Sequence, residues 1–117
     1  MLEEKGKELG RMIGQSPEYQ ALKRSSEALN DDREAVALLQ QMELLRGEAQ
    51  QLIQRGENPT PEMEQQLDTM LEKIQSQPVY QRAVSAQENF DKLMLRVNQW
   101  IMDGMKKGAV SPIITLS

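Results

Sequence analysis

Apolar side chains recur along this chain at steps of three and four residues, which is the period of an amphipathic α-helix. Proline, glycine and capping residues interrupt the pattern, so the sequence predicts an all-α antiparallel bundle of about five helical segments with a long C-terminal helix. The predicted segments run from Leu2 to Ile13, from Ser16 to about Leu29, from Asp31 to about Arg55, from Thr60 to about Ile74 and from Pro78 to about Met105.

The residues at the predicted boundaries support these segments. Gly14 is a natural left-handed cap for the first helix, and Ser16 before Pro17 has the order of an N-cap and a first helical residue. Asp31, with a glutamate three residues later, has the spacing of a capping box for the third helix. The loop from Gly56 to Pro59 is short enough to predict an antiparallel hairpin of the third and fourth helices.

The final helix carries an apolar seam along most of its length. At about 1.5 Å per residue it would be roughly 40 Å long, which exceeds what one small core covers. We therefore expect a homo-oligomer, most simply a twofold dimer, in which this helix supplies most of the interface. Trp100 suits a core position and an interface position equally. The candidate interface residues are Phe90, Leu93, Met94, Val97, Trp100, Ile101 and Met105.

One sequence motif occurs twice in the chain. SPEYQALKRSSEAL begins at Ser16, and QPVYQRAVSAQENF begins at Gln77, with proline, tyrosine and glutamine in the same order. Each copy is predicted to start a helix and to pack its tyrosine, Tyr19 or Tyr80, in the first turn. The remainder of the two halves does not align well enough to indicate an internal duplication.

Three glycines of the first segment admit two interpretations. Gly6, Gly10 and Gly14 stand four residues apart and so share one face of a helix. They would let another backbone approach closely. The favoured interpretation is a weak, frayed helix, because an interior glycine costs about 1 kcal/mol relative to alanine.

Composition and charge exclude several classes of function. The chain has 117 residues, of which 38% are hydrophobic and 3% aromatic, and its net charge is -4. It therefore lacks the basic surface that direct nucleic-acid binding needs. It has no cysteine and no histidine, which removes thiolate and imidazole catalysis and the usual zinc and haem ligands. We expect no catalytic, cofactor-binding or metal-binding residue and no enzymatic activity.

The apolar stretches of the chain are short. No stretch has the apolar length of a signal-peptide core or a membrane span, which predicts a cytoplasmic protein. Residues 1–107 are predicted to form one helical domain. In residues 108–117, β-branched residues and a proline predict an extended or disordered tail.

Two longer segments resemble a known family. LGRMIGQSPEYQALKRSSEALNDDREAVALLQQMELL resembles the N-terminal half of the YlbF/YmcA family of small bacterial proteins, and IQSQPVYQRAVSAQENFDKLMLRVNQWI resembles its closing helix. The resemblance extends from about Leu9 to Met105. It implies a helical, oligomeric, non-enzymatic regulator. Members are associated with competence, sporulation and biofilm formation, and with a complex that directs an endoribonuclease in mRNA processing. Some relatives hold iron–sulfur clusters through cysteines, which this chain lacks.

Three classes of function follow from these features. The first is a helical adaptor or regulator that contacts other proteins, such as a related helical regulator or an RNA-processing complex. The alternative is a coiled-coil chaperone or secretion-type cofactor that holds client chains. The third, an enzyme or small-molecule binder, is disfavoured by the absence of histidine and cysteine.

Overall fold

The computed structural model describes residues 1–110, which form five helices and contain no strand. This confirms the predicted all-α class. The last helix continues past the predicted domain boundary at Lys107, so residues 108–110 are helical, while the rest of the predicted tail lies outside the described residues. The helices are α1 (Leu2–Gly14), α2 (Pro17–Asp31), α3 (Arg33–Gln54), α4 (Pro61–Gln75) and α5 (Pro78–Val110).

Capping side chains start two of the helices as the sequence predicts. Ser16 Oγ accepts a hydrogen bond from the Tyr19 backbone N–H at 3.1 Å, ahead of Pro17 in the first turn of α2. Thr60 Oγ1 accepts one from the backbone N–H of Met63 at 3.2 Å at the start of α4. Each bond satisfies a backbone donor that the first turn of a helix leaves without an intrahelical partner.

The predicted start of α3 is wrong by one residue. Asp31 is the last residue of α2, and the N-cap of α3 is Asp32, whose Oδ1 accepts a hydrogen bond from the backbone N–H of Ala35 at 2.9 Å. Asp32 has an extended backbone, with φ -86° and ψ 106°. It therefore ends one helix and caps the next.

The predicted left-handed cap at Gly14 is also wrong. Gly14 is helical, and Gln15 after it stays right-handed with φ -91°. The backbone therefore bends into α2 without reversing at that point. Among residues 1–110, the glycine with a positive φ is Gly56, at 82°. That conformation suits glycine because it has no Cβ, and it ends α3 where the sequence predicts the hairpin turn.

Two helix pairs organise the molecule, because α2 packs mainly along α5 and α3 mainly along α4. Glu18, near the start of α2, lies beside Arg96 of α5, whereas Ser25 lines a cleft with Arg82. The α2–α5 pair is therefore antiparallel. Among residues 1–110 the buried apolar residues are few and mostly small, namely Ala35, Met42, Ala49, Ile74, Ala86 and Val97.

The molecule is long and thin, with principal extents of 68 × 37 × 19 Å. Its Cα radius of gyration is 21.7 Å, against about 13 Å for a compact domain of this length. Its accessible surface is 9279 Å², against about 6,500 Å² for a compact monomer of this mass. Several apolar helix faces therefore remain open to solvent within one chain.

Candidate interaction surface

An aromatic contact lies close to one end of the α2–α5 pair. The rings of Tyr19 and Phe90 meet edge to face, with 5.7 Å between their centroids and 61° between their planes. Just beyond it, Arg96 Nη2 lies 3.8 Å from Glu18 Oε2 in a partly exposed ion pair. The start of α2 is therefore the point where α5 loses its antiparallel partner.

Two helical arms extend from this point. We define the α1 arm as Leu2–Gly14 and the α5 arm as Val97–Val110. Both begin at the same end of the α2–α5 pair, since α1 leads into α2 and α5 continues past it. Their 13 and 14 residues give each a length of about 20 Å. No residue of the α1 arm is buried, and Val97 is the one buried residue of the α5 arm.

The two arms carry the same pattern of apolar and small residues. Steps of four, three and four residues define a seam on each arm, and this spacing is typical of helices that pack along one another. On the α1 arm, charged side chains lie away from the seam, as in the ion pair of Lys7 with Glu3 at 3.3 Å. The α1 seam is Leu2, Gly6, Leu9 and Ile13, and the α5 seam is Val97, Ile101, Gly104 and Gly108.

Large apolar side chains of both arms are exposed. Leu2 is 87% exposed and Met12 64% on the α1 arm, while Trp100 is 61% and Met105 67% exposed on the α5 arm. A single exposed apolar side chain is common, but a contiguous set marks a contact surface. The arms therefore form the candidate interaction surface of the protein.

The predicted interface residues divide into two groups. Phe90, Leu93 and Met94 are half-buried and Val97 is 4% exposed, so α5 has cover there within one chain. Trp100, Ile101 and Met105 are exposed, and for them the interface stays a prediction. Trp100 lies outside the core of the single chain.

Sequence analysis did not include α1 in the interface. The signal was available in the four, three, four spacing of Leu2, Gly6, Leu9 and Ile13. Gly6 obscures it, because a glycine interrupts the row of large apolar side chains that marks a helix face.

The repeated sequence motif forms the same kind of helix–helix corner twice, between α1 and α2 and between α4 and α5. Gln20 Nε2 donates a hydrogen bond to the carbonyl oxygen of Gly14, the last residue of α1, at 2.9 Å. Gln81 Nε2 donates one to the carbonyl oxygen of Gln75, the last residue of α4, at 2.7 Å. In each case the glutamine ties a new helix to the end of the preceding one. The glutamine occurs at the same position in both copies of the motif. That recurrence is the sequence signal for this role, and it was not used in the predictions above.

The first corner has a second hydrogen bond. Ser16 Oγ donates to the carbonyl oxygen of Ile13 at 2.6 Å, in addition to capping α2. The direction of the α1 arm is therefore set by Ser16 and Gln20 together.

A second open groove lies between α3 and α4, away from the arms. Its lining combines apolar and polar side chains, and Leu44 at its edge is 70% exposed. Other lining residues include Leu45, Met70, Glu48 and Lys73.

Two further kinds of site are absent from the described residues. Residues 1–110 contain no group of three acidic side chains placed to hold a metal ion. Within the same residues, no helix combines the length and apolar character needed to cross a membrane.

Comparison with known proteins places this chain among small bacterial proteins. The family described as "Control of competence regulator ComK, YlbF/YmcA" matches residues 2–106. A UPF0342 protein of Streptococcus mutans is 35% identical over 81 residues, which cover 69% of this chain and 72% of that protein. A UPF0342 protein of Streptococcus gordonii is 29% identical over 96 residues, covering 82% and 86%. One of Desulfitobacterium hafniense is 28% identical over 95 residues, covering 81% and 72%.

Proposed function

This chain belongs to the YlbF/YmcA family, and on that premise we propose that it is a bacterial regulatory protein that acts by contacting other proteins and not by catalysis. The partners we propose are a related helical regulator or an RNA-processing complex. The site of action we propose is the cytoplasm, where transcription and RNA processing take place.

The observation that carries this proposal is the exposed apolar surface of the two arms. Trp100 and Met105 are mostly exposed on α5, and Leu2 and Met12 are mostly exposed on α1. Exposed apolar surface is costly in water, and tryptophan is among the residues that most often dominate protein interfaces. A function based on contact gives this surface a use. We include self-association in the proposal, since contact surfaces of this kind frequently serve homo-oligomers.

The regulatory role is tested by deleting the gene in its native host and comparing transcript abundance and transcript ends with the parent strain. We expect a defined set of transcripts to change and the wild-type gene to restore them. Trp100→Glu should fail to restore them while remaining helical by circular dichroism. Gln99→Glu is the matched control, because it adds the same charge at an exposed neighbouring position that faces away from the α5 seam. Unchanged transcripts in the deletion strain would contradict the regulatory role.

The chaperone alternative is separated by an assay on purified protein. A regulator that binds defined partners should not suppress aggregation of several unrelated unfolded proteins. Broad suppression at stoichiometric amounts would favour the chaperone and overturn the proposal. A second experiment isolates tagged protein from the native host and identifies what co-purifies. The wild-type protein and the Gln99→Glu control should recover the same partners. The Trp100→Glu variant should lose them.

A further inference from the structure

The groove between α3 and α4 is open along its length. It has a volume of about 750 Å³ and lies between residues 41–48 of α3 and residues 62–73 of α4. Eight of its ten lining residues are exposed, and the other two, Leu45 and Met70, are half-buried. Leu44 at its edge is 70% exposed. The α3–α4 groove therefore offers apolar side chains that no other helix of residues 1–110 covers.

The lining residues give the groove the shape of a seat for a helix. On each helix they recur at steps of three and four residues, so each helix presents one continuous face. The lining of α4 extends from Glu62 to Lys73, which corresponds to about 16 Å at 1.5 Å per residue. About three turns of an added helix fit along this length, as in other proteins that bind an amphipathic helix in a groove.

The α3–α4 hairpin carries the whole net charge of the chain. Residues 33–75 contain eight acidic and four basic side chains, whereas the remaining residues contain ten of each. Two of the acids, Glu48 and Glu62, line the groove. The three ion pairs within residues 1–110 lie elsewhere, two in α1 and one between α2 and α5. Among these residues, the acids of the hairpin therefore have no basic group at ion-pair distance.

The order of charges along α4 is unfavourable for the free chain. Glu64, Asp68 and Glu72 are exposed and follow one another at steps of four residues, which makes them neighbours on the helix surface. Like charges at this spacing destabilise a helix. Glu72 also lies in the last turn of α4, where the helix dipole favours a positive charge. A cationic partner beside α4 would relieve both costs.

The sign of the charge selects among possible occupants of the groove. Nucleic acids and anionic membranes are negatively charged, so the hairpin repels them. A second copy of this chain, placed across a twofold axis at the groove, would bring two acidic hairpins together. A partner with Lys or Arg beside an apolar stripe matches both the leucines and methionine of the groove and the acids around them.

We propose that the α3–α4 groove is a docking site for a basic amphipathic helix of another protein. The apolar stripe of that helix packs on Leu44, Leu45 and Met70, and its basic side chains pair with Glu48 and Glu62. Met70 adapts to the shape of the stripe, because methionine is flexible and polarizable. This inference deepens the proposed contact-based function, on which it rests, by naming the chemistry of one partner and a binding surface separate from the arms.

A set of three designed peptides tests the chemistry of the occupant. The first is a helical peptide of about 18 residues with a leucine stripe and lysines on its other faces. The second has glutamate in place of each lysine, and the third has the composition of the first with its leucines dispersed. Fluorescence anisotropy of labelled peptide, titrated with the full chain, should show binding of the first peptide and at least about tenfold weaker binding of the others. Added salt should weaken the first, because it screens charge pairs.

Matched substitutions test the location of binding. Leu44→Asn should weaken the basic peptide by about tenfold, because it removes an apolar side chain from the contact. Leu44→Met keeps an apolar side chain and should bind as the wild type does. Glu48→Gln should weaken binding more than Glu43→Gln, which removes the same charge from α3 outside the lining. Trp100→Glu on the α5 arm should have no effect. Circular dichroism checks that each variant is folded.

Three results would overturn this inference. The first is the absence of binding by the basic peptide. The second is equal binding of the acidic or the dispersed peptide. The third is a folded Leu44→Asn variant that binds as well as the wild type.

Cross-linking in the native host tests the natural occupant. A photoreactive amino acid in place of Leu44 should cross-link to a segment of another protein, and mass spectrometry should identify that segment as a basic amphipathic helix. A second copy of this chain, or a nucleic acid, at that position would contradict the proposal. The peptide titration uses purified protein and a surface away from the arms. It can therefore fail while the transcript comparison succeeds, and the reverse also holds.

Discussion

The rings of Tyr19 and Phe90 meet edge to face, with 5.7 Å between their centroids, close to the end of the α2–α5 pair at which α2 begins. Tyr19 belongs to the repeated sequence motif, and Phe90 belongs to the seam of the final helix. The contact therefore joins the two features that most clearly mark this sequence.

Phe90→Ala should lower the free energy of unfolding by about 2 kcal/mol. Complete burial would give about 3–5 kcal/mol, but Phe90 is only half-buried. Tyr19→Ala should cost less, since Tyr19 is the more exposed ring. A double-mutant cycle measured by urea denaturation should give a coupling of about 0.5–1.5 kcal/mol. Independent effects of the two substitutions would show that the rings do not interact in solution.

Gln20→Ala should loosen the α1 arm with little loss of global stability. The hydrogen bond to the Gly14 carbonyl oxygen is exposed and is worth about 1 kcal/mol at most. Amide hydrogen exchange should rise in α1 and stay unchanged in α3 and α4. The matched control is Gln81→Ala, which removes the corresponding bond at the other corner and should affect α4 and the start of α5 instead. Equal exchange in α1 for both variants would contradict this role.

Gly10→Ala and Gly47→Ala test whether the open space around α1 is filled in solution. Both glycines are helical, and an added Cβ meets nothing within 4 Å at either position. In an isolated chain both should stabilise the helix by up to about 1 kcal/mol. If a second copy packs on the α1 arm, Gly47→Ala should still raise the melting temperature, whereas Gly10→Ala should weaken the dimer. The same stabilisation in both variants would show that nothing approaches α1 closely.

Gly56→Ala should destabilise the α3–α4 hairpin by about 1 kcal/mol. Its φ of 82° is a conformation that alanine adopts only with strain. Thermal unfolding measures the effect, and Gly47→Ala again serves as the glycine control. A neutral Gly56→Ala would mean that the turn takes another conformation in solution.

Local features of the fold could be predicted from the sequence because their causes are local. Ser16, Thr60 and Pro61 act within one helical turn, so their residue types suffice to place the starts of α2 and α4. The choice between Asp31 and Asp32 as the N-cap of α3 could not be predicted from residue type. Either acid can cap a helix, and the choice depends on where α2 ends, which the packing of its C-terminal residues determines.

Which residues of the α5 seam pack against another helix of the same chain, and which stay exposed, could not be predicted in the same way. Phe90 and Ile101 occupy equivalent positions of one seam, yet the first packs on Tyr19 and the second is exposed. The difference depends on where α2 begins along α5, because Ile101 lies past the Glu18–Arg96 ion pair that marks the start of α2. A helical apolar period does not encode how two helices are aligned along one another.

The α3–α4 hairpin leaves the α2–α5 pair at Asp32 and returns to it at Ser76. Because α2 and α5 are antiparallel, these two points lie at the same end of the pair, opposite the arms. The hairpin is therefore an insertion whose length can change by whole helical turns without moving the arms. One end of the molecule is free to diversify while the other keeps its geometry. A chain with this layout can acquire new binding specificity at the hairpin and retain a constant mode of assembly.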